Sequence, residues 1–233
     1  MEYNASTPAV AYALPEERAQ FIRRTYAHLA GAVLGFLVLE YALLNLPGVE
    51  RLVGYLTYSW LLTLALFIGV SWIADRWARS ETSRRLQYAG LAMYVMIEAI
   101  IFLPLLYVAA HYSDRTVIPA AAIITGLLFL GLTVVAFTTR ADFSFLRGII
   151  FIGGFVALGL IAVSLIFGFT LGVIFSVVMV GLAAASILYT TSNILYYYRT
   201  DQYVAAALSL FAAVALMFYY VVRILMELSS DSE

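Results

Sequence analysis

Residues 149–195 run IIFIGGFVALGLIAVSLIFGFTLGVIFSVVMVGLAAASILYTTSNIL, and no charged side chain falls between Arg147 and Arg199. A helix needs about 20 apolar residues to cross the hydrocarbon core of a bilayer, so this stretch is long enough for two crossings. The weakest boundary is Phe167-Gly168-Phe169-Thr170. A tight hairpin is expected there, with one long bent helix as the alternative. Working outward, five more apolar segments appear. Upstream are Thr25 to Leu46, Leu56 to Ala74, Leu86 to Ala110 and Val117 to Phe137, and downstream is Tyr203 to about Met226. Pro47-Gly48, Asp75-Arg76 and His111-Tyr112-Ser113-Asp114 punctuate them. The expected fold is an all-α polytopic membrane protein of seven transmembrane helices. Residues 1–19 are expected to be a disordered cytoplasmic tail without the pattern of a cleaved signal peptide. The helical domain is expected over 20–228, with a short tail at 229–233.

Composition agrees. Of 233 residues, 64% are hydrophobic and 12% charged, against roughly 25% charged in a soluble domain. A net charge of −1 offers no bulk attraction for nucleic acid. All 13 basic residues are arginines. The lack of lysine excludes a retinal Schiff base or a catalytic lysine. The lack of cysteine excludes disulfides, thiol catalysis and cysteine-held metal centres. No catalytic set, metal-ligand spacing or cofactor motif stands out. Gly69-Val70-Ser71 lies inside a helix without a matching base, and His28 and His111 read as interfacial.

Arginines set the orientation, because cytoplasmic loops carry the excess. Arg18, Arg23, Arg24, Arg76, Arg79, Arg84, Arg85, Arg140, Arg147 and Arg199 fall on one side, and Arg51, Arg115 and Arg223 on the other. The N-terminus is therefore expected in the cytoplasm. Trp72, Trp77 and Tyr196 to Tyr198 mark that boundary, and Trp60, Tyr112, Tyr219 and Tyr220 the opposite one. Close helix packing in lipid favours small residues. Gly31 with Gly35, and Gly181 with Ala185, have such a spacing. The last segment, with Ala205, Ala206, Ala207, Ser209, Ala212, Ala213 and Ala215, is small on nearly every face of its first half, which places it at the centre of the bundle.

Charges at bilayer depth are costly and usually paired or functional. Glu98 sits mid-helix; it is either a neutral carboxyl bonded to a neighbouring helix or a group lining a polar permeation route. Pro104, six residues on, is expected to free a backbone carbonyl nearby. Glu40 and Arg223 lie at depths differing by only ~5 Å on the outer side. They are expected to pair, with Glu227 as a competitor and separate snorkelling as the alternative. Ser186, Thr190, Thr191, Ser192 and Asn193 make the inner half of the sixth segment polar. Such hydroxyls face a cavity or bond back to their own helix.

The stretch Ala136-Phe137-Thr138-Thr139-Arg140-Ala141-Asp142-Phe143-Ser144-Phe145-Leu146-Arg147-Gly148 resembles the loop signature of the Bax-inhibitor-like (transmembrane Bax inhibitor motif) family, which includes bacterial YccA-like proteins. Phe21 to Tyr26 and Asp201 to Phe211 resemble its approaches to the first and last helices. The resemblance runs from about Gln20 to Leu225 and singles out Arg140, Asp142 and Phe143. It implies seven helices with the last surrounded by the other six, a plasma (inner) membrane location, and a pH-sensitive calcium leak. It further implies an aspartate pair on the last two helices that holds the pore closed. Here Thr190 and Ala213 stand at those two positions. Losing both together is coherent, since one alone would be a buried unpaired charge. The loss removes the family's pH sensor and leaves Glu98 and Glu40 as the acidic candidates. Two functions compete: a cation (calcium) leak, and a membrane interaction protein that modulates a membrane-anchored AAA protease. A solute or proton transporter is disfavoured, because no internal repeat is visible.

Overall fold

The computed structural model describes residues 9–80 and 83–230. These described residues contain eight α-helices: α1 (Pro15–Leu44), α2 (Val49–Tyr58), α3 (Trp60–Ala78), α4 (Arg84–Tyr112), α5 (Val117–Thr139), α6 (Leu146–Phe167), α7 (Val173–Tyr196) and α8 (Tyr203–Ser230). All but α2 are long and apolar enough to cross a membrane. The chain is an all-α, multi-pass membrane protein.

Local chemistry sets the helix ends. Pro15 opens α1 with Glu16 and Glu17 in the first turn, where a fixed φ and negative charge suit a helix start. Ser83 caps α4 by accepting from the Leu86 N–H at 3.3 Å. Gly168, at φ 71, closes α6 by donating its N–H to the Ser164 carbonyl at 2.9 Å, which forms the expected hairpin into α7. α4 runs unbroken through Pro104.

Two boundaries differ from expectation. Residues 15–19, read as part of a disordered tail, are the first turns of α1. Upstream, Val10 is fully buried and donates its N–H to the Tyr198 carbonyl at 2.8 Å. Residues 1–8 and 231–233 of the two expected tails lie outside the described residues. The second apolar segment begins at Trp60, not Leu56, because residues 49–58 form a separate helix. At 10 residues α2 is too short to span a bilayer. It buries Val49, Val53 and Leu56 against Leu103 and Tyr107 of α4.

The last helix is the hub. In its most apolar window 67% of α8 is buried, against 56% for α4 and 6% for α6, the lowest of the seven. α8 packs against α1, α3, α4, α5 and α7. α6 packs chiefly on α7, and Ala157, Met179 and Tyr220 cluster where α6, α7 and α8 meet. The tightest approach joins α3 and α4. A Cβ at Gly90 would stand 2.5 Å from the Ala74 carbonyl oxygen and 2.7 Å from the Ala78 nitrogen. Gly31 and Gly181, singled out by spacing, face open space instead.

Candidate functional site

A cavity of about 830 Å³ lies between α3, α4, α6, α7 and α8. Its walls are mainly apolar, and its polar lining includes Asp75, Glu98, Ser186, Thr190 and Arg223. A second cavity of about 520 Å³ lies at the arginine-rich end, lined by Arg79, Arg147, Asn193 and Gln202 among others. Tyr189, Thr190 and Ser209 line both.

Glu98 faces the first cavity and is 5% exposed, with the Tyr94 phenol beside its carboxyl one turn earlier on α4. Asp75, read from sequence only as the end of an apolar segment, lines the same cavity from α3. Arg79 holds it, its Nε donating to both carboxylate oxygens at 2.9 Å, while Nη2 reaches Ser209 Oγ on α8 at 3.5 Å. The signal for this pair was the i, i+4 spacing of opposite charges at a helix end. Thr190 and Ala213 are both buried and line the same cavity as Glu98. Ser186 bonds back to the Leu182 carbonyl at 2.9 Å, which is the local alternative for such hydroxyls.

Glu40 is elsewhere. It is 4% exposed, and neither carboxylate oxygen has a hydrogen-bond partner. The expected Glu40–Arg223 pair is corrected: Arg223 Nη2 donates to the Leu171 carbonyl at 2.8 Å and lies 3.8 Å from Glu227 Oε1. Glu227 is one turn away on the same helix, and Leu171 sits in the hairpin before α7, where its carbonyl is free to accept. Both partners reach Arg223 without bringing α1 any closer.

The loop after α5 is a built structure. Arg140 has φ 50, a left-handed conformation that a residue with a Cβ rarely adopts. The Tyr196 hydroxyl donates to its carbonyl at 2.5 Å, and the Tyr197 hydroxyl to Asp142 Oδ2 at 2.5 Å. The Ser144 N–H donates to Asp142 Oδ1 at 2.9 Å, and the Phe143 N–H to Ser192 Oγ at 3.1 Å. The Tyr197 phenol, with the Ser144 amide, holds the Asp142 carboxyl below the usual range, and the same contact pushes the Tyr197 hydroxyl up. Arg140, Asp142 and Phe143 thus tie the end of α5 to the end of α7. Among the described residues, no three His, Asp or Glu side chains converge into a metal-binding group.

The chain matches the family described as "Inhibitor of apoptosis-promoting Bax1" over residues 18–230. It is also similar to an uncharacterized protein of Pseudomonas aeruginosa, 37% identical over 113 residues, which is 48% of this chain and 50% of that protein. The matched part thus spans about half the length of that curated relative.

Proposed function

This chain belongs to the Bax-inhibitor family of multi-pass membrane proteins, and from that membership we propose that it is a cation leak pathway, with calcium the expected ion, along the α7–α8 face. The observation that carries the reading is the sharing of Tyr189, Thr190 and Ser209 by the two cavities. A route entering from the arginine-rich end passes these three residues and continues to Glu98. The aspartate pair that would close this point in relatives is Thr190 and Ala213 here, so closure falls to the bulk of Tyr189 and to Glu98. Passage needs only weak resting places. One carboxyl on an apolar wall supplies such a place without a full oxygen cage for calcium.

The protein is proposed to lie in the plasma (inner) membrane of a bacterium, its arginine-rich end in the cytoplasm. Calcium flux into liposomes across a pH series, wild type against Glu98→Gln, tests the leak. Flux that falls at least tenfold in the variant is expected, and no wild-type flux at any pH ends the reading. A second reading, modulation of a membrane-anchored protease, is favoured by the missing aspartate pair. It predicts crosslinks from a partner to Arg76, Arg84 or Arg85 and fails if none form; residues 81–82 of that loop lie outside the described residues.

A further inference from the structure

We propose that the cavity between α3 and α6 is a binding site for a hydrophobic organic cation, such as a quaternary ammonium or phosphonium amphiphile, admitted sideways from the lipid. The site does not depend on the leak. Its volume of about 830 Å³ lies in the range of drug-sized ligand sites, roughly 300–1,000 Å³ with mainly apolar walls and a few placed polar groups.

Charge and ring placement choose the ligand class. Trp60 and Phe67 from α3, Phe102 from α4, and Tyr219 and Tyr220 from α8 all line the cavity. Aromatic faces attract cations, most strongly where water is excluded. Two ionisable groups besides the tyrosines, Asp75 and Arg223, share these walls with Glu98. Asp75 is held by Arg79, and Arg223 is occupied by the Leu171 carbonyl and Glu227. Glu98 is left without an ion-pair partner among the described residues. A buried carboxyl without a counter-charge is unfavourable, and an arriving cation supplies one. Calcium wants 6–8 oxygen ligands and finds too few here. A large, weakly hydrated cation needs none and gains from the apolar walls.

Access follows from the fold. α3 and α6 are not among the packed helix pairs, and α6 is the least buried of the spans. An amphiphile in the membrane reaches Glu98 between them without crossing a polar end.

The test is calorimetric titration of the full-length, detergent-purified protein with tetraphenylphosphonium and with tetraphenylborate, an anion of the same shape. Phosphonium should bind and borate should bind at least tenfold more weakly. Glu98→Gln should weaken phosphonium at least tenfold. Gly154 lines the cavity and a Cβ there meets nothing within 4 Å. Gly154→Leu should therefore fold normally, judged by an unchanged Tm, and block binding. Equal binding of the two ions, or wild-type affinity in both variants, overturns the proposal. If Glu98→Gln fails to fold, the ion comparison and Gly154→Leu still decide. Binding without calcium flux would leave this site standing and remove the leak; flux without binding would do the reverse.

Discussion

Glu40 and Glu98 carry the same side chain into different surroundings, and their substitutions should differ in consequence. Both carboxylate oxygens of Glu40 are buried without a hydrogen bond. Removing such a group in favour of an apolar one of similar size relieves a desolvation cost of about 1–3 kcal/mol. Glu40→Met is therefore expected to raise the Tm in detergent by several degrees; an unchanged or lower Tm would contradict the orphaned carboxyl. Asp142 behaves in the opposite sense. Its folded pKa is depressed, chiefly by the Tyr197 hydroxyl. Its contribution is therefore present above the ordinary aspartate range and lost as pH falls through the lower, folded value. The loop is expected to loosen below about pH 4, and Asp142→Asn to remove that acid-dependent step in a thermal-stability profile. Both glutamates are conspicuous in the sequence because they interrupt apolar runs. The partners of Arg223 are not, because a long side chain one helix turn away and a free carbonyl compete with any distant charge.

Helix pairs show the limit of reading small residues by spacing. Gly90 is the glycine that a neighbouring backbone needs, since Ala74 and Ala78 of α3 come within 2.7 Å of its missing Cβ. Overpacking of this kind costs typically 1–3 kcal/mol. Gly90→Ala should lower the Tm, whereas Gly31→Ala, in open space, should leave it unchanged or slightly raise it. Equal effects in a thermal melt would contradict the close approach. The missed partner of Gly90 is an Ala-x-x-x-Ala step on a helix whose register against α4 no single sequence displays. α2 was missed for a different reason: its apolar residues continue the run into α3, and only the break at Ser59 separates the two helices. The α7–α8 pair offers a sharper test. Thr190 and Ala213 are buried beside one cavity, so one aspartate placed there lacks a partner, while two can share a proton. Thr190→Asp and Ala213→Asp should each destabilise, and the double variant should lose less than the sum of the two in Tm measurements.

The whole molecule is a bundle with one end rich in arginine and one helix threaded through its middle. The chain contains no cysteine, so single cysteines report sidedness without background. A cysteine at Ser144 should resist a membrane-impermeant maleimide in intact cells, and one at Asp114 should react; the reverse pattern would invert the proposed orientation. Span number, the hairpin at Gly168 and the central place of the last helix were legible in the sequence, because lipid imposes length and small residues mark crowding. The cavity was not, because it arises from how far α6 stands from α3, a distance that no residue pattern states. The position of α8 also carries a consequence for biosynthesis. The helix against which five others settle is the last of the eight to leave the ribosome. Until it emerges, the earlier spans wait in the bilayer without their common support, exposed to whatever surveys unfinished chains.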